Sequence, residues 1–320
     1  MRVARAASYY RCAMKKILLV GLALILAATA LCGSGRQETT LIVSYTASLN
    51  GNLDGCTCRA NPRAGLVTRA PWLRSRSDRD ASLLVDAGDL FDTWADDLMP
   101  GLILDSYAEL GYDAIAVGDQ EFSNGAAALL ALKTGRRLLS NNLTICPTGD
   151  SCAIFSLAPL YVQKRWGKAG ICALIDPKVF TLYPETVKKP IKVAPCAEAA
   201  RGLLERMRAD GALLKVLLYH GPTEAAAALA RDVPGFDVIV AGHDQILAGP
   251  ERIGDTILVS PGEEGNRVGR LELVMAAGRL VSYRNEFRLF SYAADAQDPV
   301  IRARIEGYRD ALSSRLKGQE

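Results

Sequence analysis

Histidine is almost missing from this chain. Only His220 and His243 occur in 320 residues, so a centre built chiefly of imidazoles is excluded and carboxylates must supply the rest of any ligand set. Aromatic residues are sparse, at 7%, and no pair can be assigned to stack a nucleobase. The apolar run at residues 17–31 is only 15 residues long, short of the roughly 20 that a membrane-spanning helix needs. An excess of positive charge is lacking too. The net +3 includes five basic residues ahead of position 32, and without them 33 basic residues face 35 acidic ones. A basic surface for nucleic acid is therefore not supported. The chain has no repeat, no low-complexity segment and no clear internal linker.

What is present at the start is a leader. Arg2, Arg5, Arg11, Lys15 and Lys16, with no acid among them, precede the apolar run. That is the pattern of a signal peptide, and a start at Met14 would give the same pattern. Cys32 follows, then Gly-Ser-Gly-Arg-Gln-Glu, which looks like a bacterial lipidation site and a flexible tether. Leu31 departs from the small residue usual before such a cysteine, and Ala28-Thr-Ala30 is an acceptable ordinary cleavage site. The expectation is an exported protein, held to a membrane through lipid on Cys32 and facing the periplasm or cell exterior. The division expected is a leader over 1–31, a tether over 32–39, one domain over 40–295 and a C-terminal helix over 296–320. In an exported chain the even set Cys56, Cys58, Cys146, Cys152, Cys172 and Cys196 points to disulfides. Cys146 and Cys152 flank a turn-rich loop and are the first pair to expect. Cys172 and Cys196 are a second candidate pair, although Cys172 lies in an apolar run and also reads as core.

Strand-like and helix-like stretches alternate from residue 40 to 290, which means a layered α/β fold, and the late run of strands indicates mixed sheets. Polar residues cluster where strands end. Ser82-Leu-Leu-Val-Asp-Ala-Gly-Asp89 is an apolar strand stopping at two acids around a glycine. Three further strand ends carry Asp119, His220 and His243. The carboxyl edge of a sheet is where α/β proteins present ligand-binding groups, so these four are candidate metal ligands. The plain alternative makes Asp86 and Asp89 turn formers or caps, and the histidines ordinary core or surface residues.

Taken together, Leu41-Ile-Val-Ser-Tyr-Thr, Gly51-Asn-Leu, Asp86-Ala-Gly-Asp89, Gly118-Asp-Gln-Glu-Phe, Tyr219-His-Gly and Phe236-Asp-Val-Ile-Val-Ala-Gly-His243 resemble the calcineurin-like metallophosphoesterases, in their exported 5′-nucleotidase/UDP-sugar hydrolase branch. The resemblance implies a four-layer α-β-β-α sandwich of two mixed sheets. It also implies two metal ions bridged by one aspartate, here Asp89, and a phosphate ester attacked by activated water. Each departure has a consequence. The family's Asp-x-His is Ser48-Leu-Asn50, its Gly-Asn-His-Glu is Gly118-Asp-Gln-Glu121, and its Gly-His-x-His is Gly242-His-Asp-Gln245. The subsite of the first ion is thus reduced to Ser48, Asn50 and Gln245. The second keeps Asp89, His220 and His243 and gains Asp119. One divalent ion is expected, of the Zn, Mn or Fe kind, and the opposing reading is a metal-free relic. Gln120 stands at the place of the family's general acid. The family's nucleoside-gripping second domain is expected to be missing, as the sequence stops soon after the helix over 299–316. A small phosphorylated molecule is the substrate class implied, without support for a nucleotide in particular. Asp89, Asn50, Gln120, Cys56 and Cys58 are the candidate catalytic residues. Cys56-Thr-Cys58 is similar to a cysteine or selenocysteine loop in relatives, and implies thiol-redox or soft-metal chemistry as an alternative. Two cysteines that merely staple the loop are the bland counterpart. A non-catalytic binding lipoprotein is the third reading.

Overall fold

The computed structural model describes residues 38–56, 63–133, 135–148, 151–292 and 294–317. Cys32 and the leader, and Cys58 with Arg59, lie outside the described residues.

The strands in chain order are β1 (Glu38–Thr46), β2 (Gly55–Cys56), β3 (Arg63–Ala64), β4 (Ser82–Asp86), β5 (Ala114–Ala116), β6 (Leu138–Leu139), β7 (Leu143–Thr148), β8 (Ser151–Ile154), β9 (Leu160–Lys164), β10 (Gly167–Ile175), β11 (Ile191–Val193), β12 (Leu214–His220), β13 (Val238–Gly242), β14 (Leu247–Ile253), β15 (Thr256–Pro261), β16 (Arg267–Ala276) and β17 (Arg279–Leu289). Two six-stranded sheets form, in the orders β17-β16-β1-β4-β5-β6 and β14-β15-β13-β12-β10-β9. Both are mixed: β1, β4, β5 and β6 run parallel, as do β10, β12, β13 and β15, while β16, β17, β9 and β14 pair antiparallel. The central strands are apolar runs buried on both faces, as parallel strands covered on both sides must be. Ser82–Asp86 and Val238–Gly242 are buried at every residue.

Three layers of core account for the stacking. Leu41, Val43, Leu83, Val85, Val216, Leu218, Val238 and Val240 pack between the two sheets. Leu84 and Ile115 of the first sheet turn outward onto the helices Leu66–Ser75, Met99–Leu110 and Pro299–Lys317 through Leu73, Leu104, Ile301 and Ile305. On the far side, Leu217 and Ile239 meet Leu203, Leu204 and Ala230 of the helices Cys196–Ala209 and Thr223–Asp232. The sandwich is therefore α-β-β-α, as alternation of side-chain direction along each strand demands.

The closing helix is part of the first core and is tied down by charge. Arg302 and Arg309 pair with Asp54, Arg304 with Glu109, and Arg74 with Asp298, while the Tyr308 hydroxyl donates to Asp96. Cys146 and Cys152 are joined in a disulfide. The second pairing does not form: Cys172 and Cys196 are free thiols. Cys172 is wholly buried in the outer core, and burial pushes the Cys196 thiol up to about 12. Cys56 is already in a disulfide.

Candidate metal centre

The four candidate ligands come from both sheets. Asp89 lies three residues past β4 and Asp119 three past β5, both in the first sheet. His220 ends β12 and His243 follows β13, both in the second. Parallel strands deliver these groups to one edge, and face-to-face packing of the sheets brings the acids against the imidazoles. One ligand atom from each of Asp89, Asp119, His220 and His243 lies within 4.8 Å of all the others.

His220 is fully buried. Its Nδ1 lies 2.8 Å from the carbonyl oxygen of Ala87. A carbonyl only accepts, so the ring proton is on Nδ1 and the Nε2 lone pair faces inward. Nε2 is 2.9 Å from Asp119 Oδ1 and 3.2 Å from Asp89 Oδ1. His243 Nδ1 is 3.0 Å from the same Asp119 oxygen. Lone pairs thus meet lone pairs in a buried space, which only a proton or a cation can reconcile. Burial opposes a charge on His220, but Asp89 and Asp119 raise its pKa well above the usual value. Burial likewise opposes ionisation of Asp119, and the two histidines and Tyr183 outweigh it, holding the carboxyl far below its usual range. The site attracts positive charge, and four donors of this kind gathered in one buried space are a set that a single ion can draw together.

The surrounding loops leave no slack. A Cβ on Gly118 would lie 2.4 Å from Asp89 Oδ1 and 2.6 Å from His220 Cε1. Gly88, at φ +96°, would place one 2.7 Å from His220 Nδ1. Among the described residues, seven other than glycine have positive φ, and five of them are Ser48, Asn50, Asp89, His243 and Gln245. Such conformations cost of order 1–3 kcal/mol each and collect at functional sites.

Three supports were not among the candidate site residues, and of them only Glu121, which closes the Gly118-Asp-Gln-Glu121 match, lies on a sequence motif. Glu121 is buried, and its carboxylate accepts backbone N–H groups from Asp89, Leu90, Phe91 and Gly118, binding the two acidic loops together. Burial, then the nearby Asp89, pushes its pKa up to about 7. Tyr183, from the loop after β10, donates its hydroxyl to Asp119 Oδ2 at 2.7 Å. Arg69 is wholly buried beneath the site. It donates to the Tyr107 hydroxyl and to the Gly265 carbonyl oxygen. Tyr107 and Thr46 both donate to Asp86 Oδ2, and Asp86 Oδ1 accepts the N–H of Gly88. Asp86 is therefore the floor of the loop, and Asp89 the group that faces the site.

Three of the remaining candidates, Ser48, Asn50 and Gln120, flank Asp89. The backbone N–H of Ser48 donates to the Gly88 carbonyl oxygen at 2.8 Å, that of Asn50 to the Asp89 carbonyl oxygen at 2.9 Å, and that of Gln120 to Asp89 Oδ1 at 3.2 Å. Gln245 follows His243 by two residues, at a φ of 57°. Cys56 pairs with Arg63 across the two-stranded β2–β3 hairpin. No helix among the described residues is long and apolar enough to cross a membrane.

No family model matches the sequence. A probable 5′-nucleotidase of Treponema pallidum is 28% identical over 210 residues, 64% of this chain and 35% of that protein. A 5′-nucleotidase precursor from Thermus thermophilus superposes with a TM-score of 0.72 at 22% identity, over 86% of this chain and 59% of that one. The calcineurin-like phosphoesterase YfkN of Bacillus subtilis superposes with a TM-score of 0.68 at 18% identity, over 88% of this chain and the whole of that one. The chain spans at most about half the length of the curated relatives it matches.

Proposed function

For a chain of the calcineurin-like metallophosphoesterases, related to the 5′-nucleotidases, we propose hydrolysis of a phosphate ester at a centre holding one divalent ion. The observation that carries this reading is the convergence of Asp89, Asp119, His220 and His243. These four residues would hold the ion, which supplies Lewis-acid polarisation of a phosphoryl oxygen when bound. Two carboxylates and two neutral imidazoles suit Zn, Mn or Fe.

The chain's own groups set the limits of the reaction. The Ala87 carbonyl oxygen keeps the His220 proton on Nδ1, so this imidazole holds its inward lone pair and passes no proton from Nε2. Tyr183 fixes the second oxygen of Asp119, which restricts the carboxylate to one orientation. Gln120 has no proton to give a leaving group. Loss of a general acid costs roughly 10²- to 10⁴-fold, and the loss falls hardest on esters of poor leaving groups. Aryl phosphates are therefore the preferred substrates and alkyl phosphates the poor ones. Export, with lipid on Cys32, is the setting we propose.

The test is a panel of aryl and alkyl phosphomonoesters and phosphodiesters with each divalent ion, against His220→Ala. Metal-dependent turnover, higher for the aryl esters and lost in the variant, supports the proposal. Turnover indifferent to the variant, or absent with every ion, ends it.

A further inference from the structure

Eight buried side-chain nitrogen or oxygen atoms among the described residues have no hydrogen-bond partner, and three of them are Ser48 Oγ, Asn50 Oδ1 and Gln120 Oε1. Unpartnered buried polar atoms are costly and call for an explanation, an ion or water being the usual one. These three belong to residues whose backbones are all hydrogen-bonded to Gly88 or Asp89. Ser48 is completely buried. Ser48 is also held at φ 50°, a left-handed conformation that a serine rarely adopts.

We infer that Ser48, Asn50 and Gln120, with Asp89, form an all-oxygen subsite for a monovalent cation such as potassium or sodium, and not for a second divalent ion. The resemblance to two-ion enzymes implies a divalent ion here, and the residues do not fit one. The positions that would ligate a second divalent ion carry a hydroxyl and carboxamides, at Ser48, Asn50 and Gln245, the adjoining Gln120 is a carboxamide as well, and none of them brings negative charge. Asp89 and Asp119 together carry two negative charges, which the ion held with His220 and His243 already balances. A second divalent ion would find only neutral oxygens and a carboxylate already shared. By Coulomb's law, a monovalent ion at the same distance from the first feels half the repulsion. Neutral oxygen donors replace the hydration shell of such ions, as carbonyl oxygens do in potassium-selective filters. The ion would restore, beside the substrate, part of the positive charge that the lost ligands remove.

This inference rests on Asp89 belonging to the one-ion centre proposed above. The test starts from protein loaded with divalent metal and assayed for metal content in choline chloride. Potassium or sodium chloride then replaces choline at constant ionic strength, while thermal unfolding and the NMR signal of thallium(I), a potassium surrogate, are followed. The expected result is one equivalent of divalent ion, a saturable rise in unfolding temperature, and thallium binding displaced by potassium. Ser48→Ala should raise the half-saturating potassium concentration by about tenfold, as for one lost ligand, with divalent content unchanged. A second equivalent of divalent ion, or no saturable response once one equivalent is bound, overturns the monovalent subsite. Absence of any divalent ion, seen before potassium is added, overturns the one-ion centre as well.

Discussion

Gly118→Ala places one methyl group in the most crowded part of the centre. The new Cβ would sit 2.4 Å from Asp89 Oδ1, 2.6 Å from His220 Cε1 and 2.7 Å from the Asp89 backbone nitrogen. Carbon atoms do not approach so closely, and two of the three neighbours belong to the ligand set. The third is backbone, fixed by the Glu121 carboxylate. Overpacking of this kind costs about 1–3 kcal/mol. If the ligands absorb it, metal affinity falls roughly 5- to 150-fold, at about 1.4 kcal/mol per tenfold. The assay is competition for the ion against a chromophoric chelator, alongside thermal unfolding of the metal-free protein. Gly101→Ala is the control, since a Cβ there meets nothing within 4 Å and alanine is the better helix former by roughly 0.5–1 kcal/mol. Gly118→Ala with the affinity of the parent would refute the geometry argued here, because the ligand oxygens could not then lie where they are placed.

Further consequences reach outward from the centre. Tyr183→Phe removes the hydroxyl from Asp119 and should weaken metal binding about fivefold, the worth of roughly 1 kcal/mol; unchanged affinity on titration would count against it. Arg69→Met leaves Tyr107 and Asp86 without their buried cation and should destabilise the fold by about 3–5 kcal/mol, read from urea unfolding, with a loss under 1 kcal/mol contradicting the network. Acid should loosen the C-terminal helix. Burial works against ionisation of Asp298 and Asp96, yet Arg74 and the Tyr308 hydroxyl hold both below the usual carboxylate range. A depressed folded pKa gives stability that is present above the unfolded value of about 4 and lost as pH falls through the folded one. Hydrogen exchange of helix Pro299–Lys317 should therefore speed up below about pH 4 relative to β4; equal protection at both pH values would disprove it.

The strands were legible because burial on both faces writes an apolar run into the sequence. Helices Ala126–Lys133 and Cys196–Ala209 follow strands in the alternation that the sequence shows. Strands β7, β11 and β14 were not legible, since they are short or carry exposed and polar residues, and their pairing is decided by distant partners. At the centre, a residue's place at a strand end could be read, but not which strand ends meet. Asp89 and His243 are 154 positions apart, and only the packing of two sheets brings them within reach. Arg69 and Tyr183 sit on no motif, so their roles follow from contacts alone. The pairing of Cys172 with Cys196 failed for the same reason: cysteine spacing carries no information about which face of a sheet each thiol occupies.

Elemental analysis of the purified chain tests the central claim most directly. One equivalent of a divalent transition metal should copurify or bind, and should be lost in His220→Ala and in His243→Ala while the fold, followed by circular dichroism, persists. Retention of the metal in both variants, or its absence from the parent protein under every loading condition, would contradict the account.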